Sequence, residues 1–301
     1  MKRTAAILTL GLYQTPNAKT AHGLVRGPSR YRIVGVVDDR GAGSDAGVLL
    51  DGRARGIPVR ASLAELLALA RPDYVIVGVA THGGVLPEEF RSVLRDALAQ
   101  GIGVVNGLHD LLSRDPELAE LARQSGAEII DIRAPKSRAQ LHFWTGAVLS
   151  VRAPRIAVLG TDCALGKRTT CQALVATCAE AGLRAEIVST GQTGWLQGID
   201  HGFVLDATPN DFVSGELEHA IVSLDRDRSP DLILLEGQSA LRNPSGPCGA
   251  ELILSGRAAG VVLQHAPARR YFDDLEELGL EIPPLAEELE LVRLYGSRVI
   301  A

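Results

Sequence analysis

One segment limits what this 301-residue chain can fold into more than any other. An apolar run at residues 156–159 leads into G-T-D-C-A-L-G-K-R-T-T at 160–170, and an Ala-rich stretch with helical character follows. A strand that turns through glycines into a helix N-terminus presents successive backbone N–H groups, and the helix dipole behind them, to an anion. Gly166 lets the chain approach such an anion closely, and Lys167, expected to be exposed in the loop, supplies a mobile positive charge. Gly160, Thr161, Asp162, Cys163, Gly166, Lys167, Arg168, Thr169 and Thr170 are therefore the candidate phosphate-binding residues. The segment also requires a parallel sheet around it, because the strand must be buried on both faces.

The rest of the chain supplies that architecture twice. Apolar runs at 5–10, 33–37, 74–79, 102–105 and 128–132 alternate with helix-spaced segments at 62–70, 87–100 and 116–124, with Ser62 placed as a cap. The alternation resumes with strands at 156–159, 185–189, 232–235 and 259–264 and helices at 166–181 and 211–224. The tail is expected to be helical at 271–278 and 284–294, with a short strand near 298–300. The predicted fold is α/β: an N-terminal Rossmann-like domain over 1–134, a linker over 135–154, and a P-loop NTPase-like parallel-sheet domain over 155–301. Hydrophobic residues make up 46% of the chain, which supplies two cores; aromatics are only 4%, so those cores are aliphatic. Net charge is −5 with both signs well mixed, which excludes a broad basic face for nucleic acid. The N-terminal apolar run is too short for a signal or membrane segment, so a cytoplasmic protein with no membrane partner is expected. The four cysteines lack metal-ligand spacing, and no metal site is expected.

Two features set the loop apart from the usual phosphate loop. Five residues separate Gly160 from Gly166 where four are usual, a spacing that resembles dethiobiotin synthetase and its relatives. The position after Lys167, ordinarily a hydroxyl that ligates magnesium, is Arg168, which cannot bind a cation. Thr169 substitutes for it only by a shift of register. The arginine favours a phosphorylated cofactor held without turnover, such as coenzyme A, over Mg-ATP.

Further polar groups fall at the carboxyl ends of the second domain's strands, where ligands sit in open α/β sheets. The run S-T-G-Q-T-G at 189–194 offers Gln192 and Thr193. A buried strand ends in E-G-Q at 236–238, which places Glu236 and Gln238 there as well. Asp206 and Asp211 flank a proline-containing loop before a helix, where Asn210 or Asp211 also reads as its cap, while Glu216 and Glu218 read as its solvated face. Arg242 and Asn243, and the group Gln264, His265, Arg269 and Arg270, offer partners for a carboxylate or a phosphate; taken alone, His265 reads better as a structural residue. In the first domain Asp38 stands where a ribose-binding acid would, but no G-x-G-x-x-G is present and Pro16 lengthens the turn, so a dinucleotide is not supported. Asn17 and Lys19 at a helix start remain candidates for an anion.

G-T-D-C-A-x-G-K-R-T-T at 160–170, T-G-Q-T-G at 190–194, D-F-V-x-G at 211–215 and E-G-Q at 236–238, behind N-x-K-T-A at 17–21, together resemble a widespread bacterial family long labelled a domain of unknown function. Its characterised members are the D-glutamate N-acetyltransferases called DgcN, and the resemblance spans nearly the whole chain. It implies acetyl-CoA-dependent transfer to the amino group of a D-amino acid of the D-glutamate kind. A small amino-acid substrate is the expected partner, and a homo-oligomer is expected. Such transfer needs a base for the ammonium, an oxyanion site and alignment of two substrates. Asp211 and Asp206 stand ahead of Glu236 as the base, with Glu236 orienting the site. Gln192, Thr193, Gln238, Arg242, Asn17 and Lys19 are the candidate substrate contacts. The alternatives are an ATP- and magnesium-dependent ligase or kinase of the dethiobiotin-synthetase type and a non-catalytic nucleotide-binding module.

Overall fold

The alternation of apolar runs and helical segments closes, in a computed structural model that describes residues 2–301, into two separate parallel sheets. The first comprises β1 (Thr4–Leu8), β2 (Arg32–Val37), β3 (Val59–Arg60), β4 (Tyr74–Val77), β5 (Gly103–Asn106) and β6 (Ile129–Asp131) in the order β3-β2-β1-β4-β5-β6. This is the order of a Rossmann-like sheet, with its reversal between β1 and β4. The second comprises β7 (Arg155–Gly160), β8 (Ala185–Val188), β9 (Leu232–Glu236) and β10 (Gly260–Gln264) in the order β10-β7-β9-β8. The expected fold class holds for both halves.

Each sheet is apolar on both faces because helices cover both. In the first unit Leu8, Val75, Val77, Phe90, Leu94 and Leu98 lie in one buried cluster, and Ala5, Ile7, Ala21, Leu24, Val36 and Ile76 lie in another. The helix Leu63–Leu67 starts at Ser62, whose hydroxyl accepts from Glu65 N at 3.2 Å, as the sequence predicted. In the second unit Leu217, Ile221 and Leu224 of the helix Asn210–Arg228 pack with Ile233 and Leu235 of β9. The tail departs from expectation. Asp274 takes φ +66°, which no helix tolerates, so only a short 3-10 turn at Glu276–Leu278 forms before the helix Leu285–Leu294. Among the described residues no helix is long and apolar enough to cross a membrane.

The division of the chain differs from the sequence reading in two places. One unit runs to Ala134 and also takes in Trp195–Gly198; the other comprises Pro135–Gly194 and Ile199–Ala301. The segment 135–154, expected as a linker, is thus part of the second unit. Val148 is fully buried, and Val151 and Ala153 join the same core. The excursion at 195–198 gave no sequence signal: Leu196 is fully buried in the first unit's core, and its carbonyl accepts from Arg30 N at 2.7 Å.

The segment 135–154 is held by Glu216 and Glu218, which are 1% and 4% exposed and not on a solvated face. Glu216 accepts from Lys136 Nζ, from His142 N at 2.9 Å and from His142 Nδ1 at 2.8 Å. Glu218 accepts from Thr145 N at 2.6 Å, Thr145 Oγ1 at 2.8 Å and Val148 N at 3.2 Å. Burial works to raise the pKa of both, but these hydrogen bonds outweigh it and hold both carboxyls below the ordinary range. Gly215 is required where the segment crosses the helix, since a Cβ there would lie 2.0 Å from His142 O. Neither Asn210 nor Asp211 caps that helix; Pro209 holds the N-cap position and no side chain bonds there.

Because the folded pKa values of Glu216 and Glu218 are depressed, the stability they contribute is complete above the unfolded carboxyl value and is lost as pH falls through the folded ones. The double variant Glu216→Gln/Glu218→Gln is therefore expected to lose several kcal/mol at pH 7, at roughly 1–3 kcal/mol for each charged hydrogen-bonding group weakened. The deficit should shrink steadily below about pH 4. Urea unfolding of both proteins from pH 7 to pH 3 measures it; a deficit independent of pH contradicts the assignment.

Candidate functional site

β7 lies between β10 and β9, with Gly160 opposite Gln264 and Val158 opposite Glu236. The loop after β7 and the chain leaving β9 therefore emerge side by side at the carboxyl end of the second sheet. The helix Lys167–Glu180 begins at Gly166, which takes φ +91° and has open space where a side chain would be. No side chain caps this helix, so its first N–H groups are available to an anion.

The loop is shaped from beneath by Asp162, which is fully buried. Its Oδ1 accepts from Cys163 N at 2.6 Å and, at 3.4 Å, from Asn243 Nδ2; its Oδ2 accepts from Arg269 Nη1 at 2.8 Å and Asp273 N at 2.9 Å. Arg269 also donates to Cys163 O at 2.9 Å. Thr161 Oγ1 bonds His265 Nδ1 at 3.0 Å, and Gln264 Nε2 donates to Thr170 Oγ1 at 2.6 Å. The cluster at 264–269 and Asn243, which by sequence offered contacts for a ligand, thus braces the loop. His265 is a structural histidine, as the sequence favoured.

Lys167 departs from expectation. It is 7% exposed, and its Nζ donates to Asp162 O at 2.7 Å and Ser239 O at 2.8 Å. Burial pushes its pKa below the usual lysine value against the pull of the acids nearby. The ammonium is a fixed charge behind the loop, tied to the loop itself and to the segment after β9. Ser239 was not singled out by sequence. Its signal was only its place immediately after E-G-Q, in a turn where it takes φ +39°.

Arg168 turns toward β9, with Nη1 3.6 Å from Glu236 Oε1. Glu236 is 2% exposed, and burial raises its pKa even with Arg168 and Lys167 opposing. Its second oxygen, Oε2, is buried with no hydrogen-bond partner. The T-G-Q-T-G loop is tied to the same strand end: Thr190 Oγ1 donates to Glu236 O at 2.7 Å and receives Gln238 Nε2 at 3.0 Å. Gln192 and Thr193, both buried, follow in the helix Gln192–Leu196. Gly237 is necessary because a Cβ would lie 2.4 Å from Val158 O.

Not every expected contact is gathered here. Arg242 is paired with the last helix, through Nε to Glu288 Oε2 and Nη1 to Glu287 Oε2, both at 2.6 Å, so its charge is already compensated. Asn17 and Lys19 are exposed residues of the first unit. Asp206 is exposed in the turn Leu205–Ala207, whose first N–H bonds Thr190 O at 3.0 Å; Asp211 is exposed in the first turn of its helix. Asp38 is buried and organises the turn after β1, accepting from Thr9 Oγ1 at 2.8 Å, Tyr13 N at 3.0 Å and Gly41 N at 3.0 Å. It is 1% exposed and already accepts three hydrogen bonds from its own turn, so it serves that turn and does not stand open to a ribose. What remains together is an anion cradle with two cations, one of them leaning on a buried acid.

Comparison with known proteins places this arrangement. The profile described as a domain of unknown function, DUF1611_C, P-loop domain, matches residues 142–300, and that of the DUF1611_N Rossmann-like domain matches residues 39–135. A protein of Tritonibacter scottomollicae named D-glutamate N-acetyltransferase is 33% identical over 221 residues, or 73% of this chain and 63% of its own. One of the same name from Pseudoalteromonas sp is 29% identical over 231 residues, 76% of this chain and 66% of its own. The chain thus matches somewhat less than two thirds of the length of these curated relatives. The crystal structure of a DUF1611 family protein from Anabaena variabilis superposes with a TM-score of 0.89 at 29% identity, covering 99% of this chain and 86% of that one.

Asp162→Asn removes the buried charge that gathers the loop, at a cost of about 1.5–3 kcal/mol for hydrogen bonds to a charged group. Denaturant unfolding is expected to show that loss. Calorimetry with inorganic pyrophosphate should show weakened anion binding, and a parental affinity would mean that the loop holds its shape without Asp162.

Proposed function

This chain belongs to the DUF1611 family, and on that premise we propose that it is an N-acetyltransferase carrying an acetyl group from acetyl-CoA to the amino group of D-glutamate or a closely similar D-amino acid. The relatives' shared name supports the acceptor and the reaction. The observation that carries the donor is the placement of Arg168. In a loop that turns over a nucleoside triphosphate, a hydroxyl at this position and an acid at the end of the neighbouring strand flank magnesium. Here the acid, Glu236, faces a guanidinium at 3.6 Å. The chain provides its own cation where the metal would be, which suits phosphates that are gripped and not cleaved.

The residues present fit the phosphates of coenzyme A. The uncapped helix N-terminus at Gly166 offers backbone donors, and Lys167 and Arg168 offer charge. When bound there, acetyl-CoA supplies an activated acyl group. The protein's part is to hold the phosphates, keep the acceptor amine neutral and align the two. Gln238 lies beside the T-G-Q-T-G loop through its bond to Thr190 Oγ1, and the N–H of Gly237 is taken by Val158 O, so an oxyanion would draw on other donors.

Two outcomes test this reading. Lys167→Ala is expected to lower coenzyme A affinity at least tenfold. Because the ammonium also ties one buried and one partly buried carbonyl, it should cost about 1–3 kcal/mol of stability as well, read from affinity and melting temperature together. Transfer to D-glutamate, followed by thiol release, should persist in excess chelator. Loss of activity restored by magnesium would move the reading to an ATP-dependent ligase or kinase.

A further inference from the structure

Glu236 presents a chemical problem that the fold alone does not solve. A carboxylate 2% exposed at the end of β9 needs compensation on both oxygens. Oε1 faces Arg168 at a loose 3.6 Å, the Thr190 backbone N–H also favours the charged form, and Oε2 has no hydrogen-bond partner. Lys167 cannot replace Arg168, because Asp162 O and Ser239 O hold its ammonium. Over Oε2 lies Gly194, where a Cβ would sit 3.2 Å from that oxygen and 2.5 Å from Ser189 Cβ. The last glycine of T-G-Q-T-G is thus required by its approach to Ser189, and it also brings the loop close against this carboxylate.

Arg168 is also the second residue of the helix whose N-terminus receives the anion. A phosphate on that loop offers it a closer and more highly charged partner than one carboxylate oxygen at 3.6 Å. Once the guanidinium turns to phosphate, Glu236 keeps only the field of Lys167, whose ammonium is held by two backbone carbonyls. An amino-acid ammonium then supplies both the charge and the donors that the carboxylate lacks.

We infer that Glu236 receives the acceptor's ammonium group and that Arg168 masks this carboxylate until donor phosphates draw it away, so that the donor binds before the acceptor. This deepens the transfer reading and rests on it for the identity of both ligands. Glu236 takes one proton from the ammonium. The neutral nitrogen forms the C–N bond to the thioester carbonyl carbon, the C–S bond breaks, and Glu236 returns its proton to the departing sulfur. The second nitrogen proton passes to water, so that amide, free thiol and one proton result. A buried carboxyl with its pKa raised suits this exchange better than Asp206 or Asp211, which are exposed. Burial therefore reverses the order in which the sequence ranked the three acids.

The experiment is calorimetric titration of D-glutamate into the whole protein, alone and saturated with coenzyme A, beside a thiol-release assay with acetyl-CoA. For the parent, D-glutamate should bind at least tenfold more tightly when coenzyme A is present; equal affinity overturns the masking. Glu236→Gln removes a charge from the interior and keeps the fold, which its melting temperature checks. It is expected to weaken D-glutamate binding at least tenfold and to lower kcat by about two to four powers of ten, with coenzyme A affinity within threefold of the parent. Arg168→Met should bind D-glutamate without regard to coenzyme A, whereas Arg168→Lys should retain the dependence. Should Arg168→Met not fold, product inhibition of the parent decides the order of binding: coenzyme A competitive with acetyl-CoA but not with D-glutamate supports it, and the reverse overturns it. Transfer that proceeds unchanged in Glu236→Gln overturns the Glu236 assignment and leaves the transfer reading standing. Binding of D-glutamate that depends on Glu236, with no thiol released, overturns the transfer reading and supports the amine site.

Discussion

The second unit is organised around carboxylates taken out of water, and Asp162 is the one on which the rest depends. A charge buried at the root of a glycine-rich loop has to be surrounded by donors, and the donors come from four places in the chain: Cys163, Asn243, Arg269 and Asp273. Satisfying Asp162 therefore fixes the loop, the turn after β9 and the turn after β10 relative to one another. Lys167 adds a second tie from the same loop to Ser239. A phosphate loop with little shape of its own is pre-formed in this way, and the ordering entropy of an anion site is met during folding and not at binding.

The same logic, applied at the helix Asn210–Arg228, explains a motif that looks catalytic in sequence. D-F-V-x-G at 211–215 is followed by Glu216 and Glu218, and the whole stretch serves to seat residues 135–154. Phe212 meets Phe143 at 4.5 Å between ring centroids, Arg138 lies over Phe212 at 4.8 Å, Gly215 clears His142, and the two glutamates bind backbone N–H groups. A short motif of mixed polar and small residues is thus compatible with pure scaffolding. Only Asp211, which faces solvent, is left unexplained by it.

The sheets, their parallel sense and the phosphate loop were legible in the sequence because they rest on local signals: apolar runs, helix spacing, and glycines at a strand-to-helix turn. Pairings between distant residues were not. Nothing in the spacing of Arg242 foretold Glu287 and Glu288, and the bracing of Asp162 by Arg269 spans 107 residues. Burial of charge was the commonest surprise, in Glu216, Glu218 and Lys167. Charged residues in a helix or loop read as solvated unless the element that covers them is known, and here the cover was itself read as linker. The burial of Glu236 was legible, since it ends an apolar strand, whereas the exposure of Asp206 and Asp211 was fixed only by the closed structure.

The excursion of Trp195–Gly198 limits how a chain of this kind can be divided or exchanged. Leu196 is a core side chain of the first unit, yet it is encoded between two stretches of the second. No single break in the polypeptide yields two fragments that each carry their own interior. A break near Ala134 leaves the first fragment with a hole where Leu196 belongs, and the second with an apolar side chain that has lost its surroundings. Recombination at the apparent joint between the two sheets would be penalised for the same reason, so the halves are expected to be inherited as one piece although each has the outline of an independent module.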